Sequence, residues 1–195
     1  MEKFYFELPS MERKEEAIQY INEFHDYKSE INGTGSLNRY IDDYEGWLKK
    51  IEEDLIRESS EDRVPASTYF TIRESDNKII GMINLRHCLN KALDEYGGHI
   101  GYGIRPTERR KGYAKIQLYL CLLEAKKLKI DRVRIDCIDT NIGSEKTMQA
   151  LGGIYEGSTY IKEKNKTLKK YWINVDDSIE KYEDEYKKYI LNNKK

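Results

Sequence analysis

The 195-residue chain is long enough for one sizeable core, and its 38% hydrophobic and 35% charged residues suit a soluble protein with heavily charged helix faces. A net charge of −1 argues against a nucleic-acid binder with a broad basic face, and no apolar run approaches the roughly 20 residues of a membrane span. Residues 1–10, MEKFYFELPS, lack both the apolar stretch and the cleavage site of a secretory signal. Cys88, Cys121 and Cys137 lie far apart without CxxC spacing. No metal site or disulfide framework is expected, and the thiols read as reduced ones in a cytoplasmic protein.

In chain order, residues 3–8 form a short strand closed by Pro9. Ser10 then caps a helix to about Tyr27, with Met11, Ile18, Ile21 and Phe24 near helical spacing. Residues 31–36 are a loop, followed by a second helix through Tyr40, Ile41, Tyr44, Trp47, Leu48, Ile51 and Leu55 to about Arg57. Residues 67–73 and 78–86 pair as a hairpin across the Ser75-Asp76-Asn77 turn. Residues 87–97 read as a loop, 98–104 as a strand, 111–128 as a strongly apolar helix, and 132–138 as a strand with Val133, Ile135 and Cys137 alternating. A short helix from about Ile142 to Leu151 stops at Gly152 and Gly153. Strands at about 154–163 and 167–174 are joined by the turn EKNK, and the tail, about 177–193, reads as helical. The expectation is a single α/β domain over 1–195, with a mixed central sheet flanked by helices and no linker or internal repeat.

Charge is unevenly spread. Residues 1–66 carry a net −8 and residues 67–195 a net +7, a division that suits a site joining an anionic ligand to a cationic one and equally suits plain solvated faces.

The sharpest local signal is GYGIRPTERRKGYA, residues 101–114. A strand ends at Ile104, Pro106 blocks its continuation, and a helix starts near Gly112. Arg109, Arg110 and Lys111 precede that start, against the usual preference for acids there. Something negative must offset them. Unpaired N–H groups at the helix start, a glycine that lets a ligand approach, and three cations make a turn suited to phosphate or pyrophosphate. It is not a P-loop, because GxxxxGK[ST] is absent. Nor is it a dinucleotide fingerprint, because proline stands where the third glycine belongs.

Residues Arg109-Arg110-Lys111-Gly112-Tyr113-Ala114 match the signature [RQ]xxGx[GA], and the stretch resembles the GCN5-related N-acetyltransferase (GNAT) superfamily. HIGYGIRP resembles that family's fourth strand, and DTNIGSEKTMQALGG its Nxx[SA]…G segment after the fifth. The resemblance covers about residues 68–173. It implies acetyl-coenzyme A (acetyl-CoA) as cofactor, with the N–H groups of Arg110, Lys111, Gly112, Tyr113 and Ala114 around the pyrophosphate and Arg109 at the first motif position. It implies backbone contact from Ile104 to the pantetheine arm and a hydrogen bond from Asn141 to the pantetheine or thioester region, with a plain helix cap as the lesser alternative for Asn141. The strands holding Ile104 and Cys137 are expected side by side and parallel, separating beyond Ile104.

The implied reaction is acetyl transfer from acetyl-CoA to a primary amine, most simply that of a small molecule. The alternatives are a protein lysine or N-terminus, or a non-catalytic coenzyme A-binding module. No nucleic acid or membrane is expected as partner, and a homodimer is allowed. His99 stands where many family members carry a glutamate base and is the catalytic candidate. Met148 stands at the usual tyrosine acid, which leaves that role unassigned. Cys137 lies near the expected pocket and reads as a buried structural thiol. The acidity of the early residues favours a cationic acceptor, whereas Arg86, His87 and Asn90 favour a carboxylate.

Overall fold

The computed structural model describes residues 1–191. Two antiparallel sheets form the frame. The first has the order β1 (Phe4–Glu7), β2 (Ala66–Arg73), β3 (Lys78–Arg86), β4 (Ile100–Ile104), and the second the order β5 (Arg132–Ile138), β7 (Lys166–Asn174), β6 (Ile154–Ile161). Helices α1 (Lys14–Asp26) and α2 (Tyr44–Ile56) cover one face of the first sheet. There Tyr20, Phe24 and Trp47 pack with Phe70, Ile72, Ile79 and Met82. On the other face, α4 (Tyr113–Lys127) packs with Phe4, Ile80, Ile83 and Leu85 of the first sheet and with Val133, Ile135, Tyr171 and Ile173 of the second. Helices α5 (Ile142–Ala150) and α6 (Val175–Tyr186) close the far side of α4. Covered on several sides, α4 is buried from Ile116 to Leu122 without a break. That fixes where its N-terminus points.

The α/β architecture with helices on both sides is as expected. The sheet, however, is not continuous. The parallel pairing expected between β4 and β5 does not form, and the two strands meet only at a Gly98–Ile135 bridge of antiparallel type. There the His99 N–H donates to the Arg134 carbonyl at 2.7 Å. Past that bridge no ladder pairing joins β4 to β5, so the unpaired stretch starts at the beginning of β4 and not beyond Ile104.

Four local readings change. Ser10 makes no capping side-chain bond, and a 3-10 turn (Met11–Arg13) precedes α1, which starts at Lys14. Helix α2 begins at Tyr44, because the Asp43 carboxylate accepts from the Gly46 N–H at 2.9 Å and sets the start there. Residues expected as loop contain a short helix, α3 (Lys91–Glu95), capped by Asn90 through the Leu93 N–H. The tail helix starts at Val175, capped by Asn174, and ends at Tyr186, followed by one 3-10 turn. The expected end of the tail at 193 lies outside the described residues.

A bulge near Thr71/Ile72 of β2 leaves Ile80 unpaired opposite it, which puts Ile79 and Met82, three apart, on the same face. The carbonyls of Ile79 and Ile80 are both taken by Arg105, through Nε at 3.0 Å and the backbone N–H at 2.9 Å. This locks the end of β4 onto β3.

Candidate active site

The turn after β4 is a 3-10 turn (Pro106–Glu108), an extended Arg109, then Arg110 at φ +63° and Gly112 at φ +86°. Left-handed residues alternating with other conformations turn successive N–H groups inward as an anion-binding nest. Holding a non-glycine residue such as Arg110 there costs about 1 kcal/mol. None of the N–H groups of residues 110–114 donates to another group among the described residues. A Cβ placed on Gly112 would meet nothing within 4 Å. The nest is open.

The three cations divide the work. The Lys111 ammonium is 2.8 Å from Glu108, a buried carboxylate also held by Arg73 at 2.8 Å and Lys78 at 3.0 Å. Burial pushes the Glu108 carboxyl up, but the hydrogen bonds from Arg73, Lys111 and Lys78 outweigh it and hold it down to about 2. Arg109 stacks over Phe24, with its guanidinium carbon 5.1 Å from the ring centre, and donates to the Ile104 carbonyl at 3.0 Å and the Ser29 hydroxyl at 2.8 Å. Arg110 makes no side-chain hydrogen bond or ion pair among the described residues. So Glu108 offsets Lys111, Arg109 braces the turn, and the backbone together with Arg110 is left for an anion.

From this nest β4 runs back as an open edge. Arg105 N–H to Ile80 and Arg86 N–H to His99 set the hydrogen-bonding phase with β3. Gly101 and Gly103 therefore bond to β3, while the backbones of Ile100, Tyr102 and Ile104 face the gap toward β5. The expected use of Ile104 is narrowed, since its carbonyl already accepts from Arg109.

The gap opens into a cavity of about 490 Å³ lined by residues of β4, of β5 and the start of α5, of the loop at 30–33, and of the β6–β7 turn. That loop passes so close over β4 that a Cβ on Gly33 (φ +76°) would lie 2.5 Å from the Gly101 carbonyl oxygen. The Tyr102 hydroxyl crosses the gap to the Ser144 hydroxyl at 2.9 Å. Burial raises the Tyr102 phenol to about 12. Sequence reasoning assigned neither residue a role. Ser144 stands at the serine position of the Nxx[SA] segment, a signal that was present, but only the fold brings Tyr102 to it. Asn141 lines the cavity and caps α5, accepting from the Ser144 N–H at 3.0 Å. Its amide nitrogen has no partner among the described residues. Burial pushes the Cys137 thiol up to about 11, so it stays a neutral wall residue at pH 7. Met148, at the usual tyrosine position, is fully buried in the core.

His99 sits apart from these groups. It is 7% exposed, and its Nδ1 accepts from the Arg134 backbone N–H at 3.0 Å. Burial, then the nearby Arg134 and Arg86 charges, push its pKa down to about 4. The carboxylates lining the cavity are Asp136 and Glu30. The Asp136 side chain is 2% exposed and accepts from the Gly97 N–H at 2.7 Å and from Arg134 Nε at 3.1 Å, and burial raises its pKa. Glu30 pairs with Lys166 across the cavity mouth.

The family described as acetyltransferase (GNAT) domain matches residues 11–154. The chain belongs to the GNAT acetyltransferase family. No curated protein matches it in sequence. Among solved structures, this acetyltransferase is similar to the ribosomal-protein-S5-alanine acetyltransferase of Vibrio fischeri, with 16% identity, 91% of this chain and 96% of that chain covered, and a TM-score of 0.65. It is similar to the microcin C7 self-immunity acetyltransferase MccE, solved with acetyl-CoA and AMP, with 20% identity, 88% and 92% covered, and a TM-score of 0.62. A spermidine N-acetyltransferase chimera built from Vibrio cholerae SpeG and hSSAT has 12% identity, 91% and 99% covered, and a TM-score of 0.61. At these identities the likeness is one of fold. The three names point to three different acceptors, so the shared fold leaves the acceptor of the acetyltransferase open.

Proposed function

We propose that the acetyltransferase moves an acetyl group from acetyl-CoA to the primary amine of a small molecule. One observation carries this reading: the open nest at 110–114 leads along a free strand edge into a roofed cavity of about 490 Å³, within the range of small-molecule sites. Its acceptor side is bridged by the Glu30–Lys166 pair and by Lys164, whose ammonium stands 4.9 Å from the centre of the Tyr96 ring. Those bridges favour a compact acceptor over an extended peptide.

The nest fits a pyrophosphate. Its N–H groups are unpaired and nothing stands over Gly112, so it would hold that part of acetyl-CoA. The unpaired backbone of Tyr102 and the N–H of Ile104 would hold the amide-bearing arm as an added strand does, with Asn141 Nδ2 supplying a further donor. Bound there, acetyl-CoA supplies the acetyl group as a thioester.

The chain's own groups manage protons. An alkylammonium must lose a proton before it can attack. Asp136, made more basic by burial, takes that proton directly or through one water, and the second proton, lost from nitrogen as the C–S bond breaks, passes to solvent. His99 does not, because its Nδ1 is occupied and its basicity is low; it ties the start of β4 to β5. At the departing sulfur the Tyr102–Ser144 pair donates a hydrogen bond. Full transfer from a phenol near 12 to a thiolate of pKa about 8.5 would be uphill by about 5 kcal/mol, so the pair steadies the thiolate and keeps its proton.

The test is coenzyme A release with a panel of polyamines, amino acids, aminoglycosides and peptides. Turnover with a small amine, falling about tenfold or more in kcat for Tyr102→Phe, is the expected result. Release with peptides only, or binding of acetyl-CoA with no acceptor in the panel, would overturn the reading.

A further inference from the structure

Arg86, at the end of β3, has an arrangement that the cofactor half of the site does not explain. It lines the acceptor side of the cavity. Its Nη1 donates to the carbonyls of Gly97 and Gly98 at 3.1 and 2.9 Å. Nε and Nη2 have no acceptor among the described residues. Burial lowers the pKa of this guanidinium, and the nearby Asp136 charge offsets part of that. A nearby carboxylate, Asp136, is already engaged by Arg134 and the Gly97 N–H.

Lys164, a solvent-exposed lysine, also lines the cavity. It lies over Tyr96 and has no carboxylate within 4.0 Å among the described residues. Its neighbour Lys166 is paired with Glu30. Among the described residues, neither Arg86 nor Lys164 is in an ion pair within 4.0 Å, and the buried Asp136 carboxylate lines the same cavity.

We propose that the acceptor is a small amine that also carries a carboxylate, of which an α-amino acid is the simplest case, with the carboxylate held by Arg86 and the charge of Lys164 and the amine turned toward Asp136. Nε and Nη2 form the side-on edge of a guanidinium, two parallel donors spaced for the two oxygens of one carboxylate. Gly101 keeps that approach clear: a Cβ there would come within 3.8 Å of Arg86 Nη2 and 3.4 Å of the Gly33 nitrogen. Of the three residues that sequence reasoning considered for a carboxylate, only Arg86 reaches the cavity. His87 bonds to Ser67 at 2.8 Å, and Asn90 caps α3. The acidity of residues 1–66, which pointed to a cationic acceptor, reaches the cavity only through Glu30, which is paired with Lys166.

This inference rests on the small-amine reading, and one experiment separates the two. Coenzyme A release is measured with a set of amino acids, the matching amino-acid amides, and spermidine. The wild type should favour acid over amide by at least about tenfold in kcat/KM, the worth of one hydrogen-bonded charge contact. Arg86→Gln should bring that ratio close to one. Amides or spermidine used as well as the acids would overturn the carboxylate proposal and leave the small-amine reading standing. An unchanged ratio in a folded Arg86→Gln protein would also overturn it. Release with no amine at all would sink both. Because Arg86 braces Gly97 and Gly98, the variant's folding is checked by circular dichroism. If it does not fold, the wild-type ratio still decides.

Discussion

The two ends of the candidate active site are made from different materials. The nest at 110–114 is backbone, contained in one short segment and given its shape by Arg110 and Gly112 in left-handed conformations. The proposed acceptor end is side chain, with Arg86 from β3, Tyr96 after α3, Asp136 from β5, Lys164 from the β6–β7 turn and Glu30 from the loop after α1. A backbone site needs only a local sequence that imposes its dihedral angles. A side-chain site needs five segments to arrive together. The first can be kept while the second changes, which agrees with three fold-alike acetyltransferases being named for three acceptors.

The strongest way to break this contrast is at Gly112. Gly112→Glu puts a side chain into the open space over the nest and a carboxylate against a bound anion. With two charge-assisted hydrogen bonds lost at about 1.5–3 kcal/mol each, acetyl-CoA affinity should fall by at least about 100-fold in calorimetric titration. The position lies outside the core, so the variant should remain folded. Normal affinity in a folded variant would remove the nest from the cofactor site.

A second test asks whether the nest's shape depends on the buried charge beneath it. The Glu108 pKa is held down to about 2, below its unfolded value of about 4.3, so its ionised form favours the folded state. The stability from this cluster is fully present above pH about 4.3 and is lost as pH falls toward 2. The difference corresponds to about 3 kcal/mol at most. Glu108→Gln should therefore lower stability at pH 7 by a few kcal/mol and flatten the acid limb of a stability-versus-pH curve. A variant with the wild-type acid limb would show that Glu108 does not hold the turn.

The smallest effect is expected at His99, which belongs to neither end. Its folded pKa, about 4, lies below the unfolded value of about 6.5. It therefore contributes stability above pH about 6.5 that is lost as pH falls through 4. His99→Ala should lower stability by about 1–2 kcal/mol at neutral pH through the lost bond to the Arg134 N–H, and should leave the pH–rate profile in its wild-type shape. A limb near pH 6–7.5 that disappears in the variant would restore His99 as the base.

Much of the chain could be read before it was seen folded. The β2–β3 hairpin and β5 came out of alternation and turn residues, and the apolar run of α4 marked a helix with little exposed face. The short α3 was missed because its signal is a single Asn90 cap before five residues, too short for a hydrophobic period to appear. The early start assigned to α2 followed apolar Tyr40 and Ile41, which do pack against the core, but from a turn outside the helix. Asp43 decided the boundary.

Sequence alone marked the turn at 109–114, because a strand end, a glycine and a helix start are local properties that neighbouring residues impose on one another. It determined the family for the same reason. Tertiary structure decided what each charge does. Lys111 is drawn to Glu108, Arg109 to Phe24 and Ile104, and His99 into the wall between two strands, while Tyr102 meets Ser144 and Arg86 is left with two free donors. Whether a cation is a brace or a ligand depends on what lies within about 3 Å of it, and residues far apart in the chain supply that neighbour only once the sheet has split between β4 and β5.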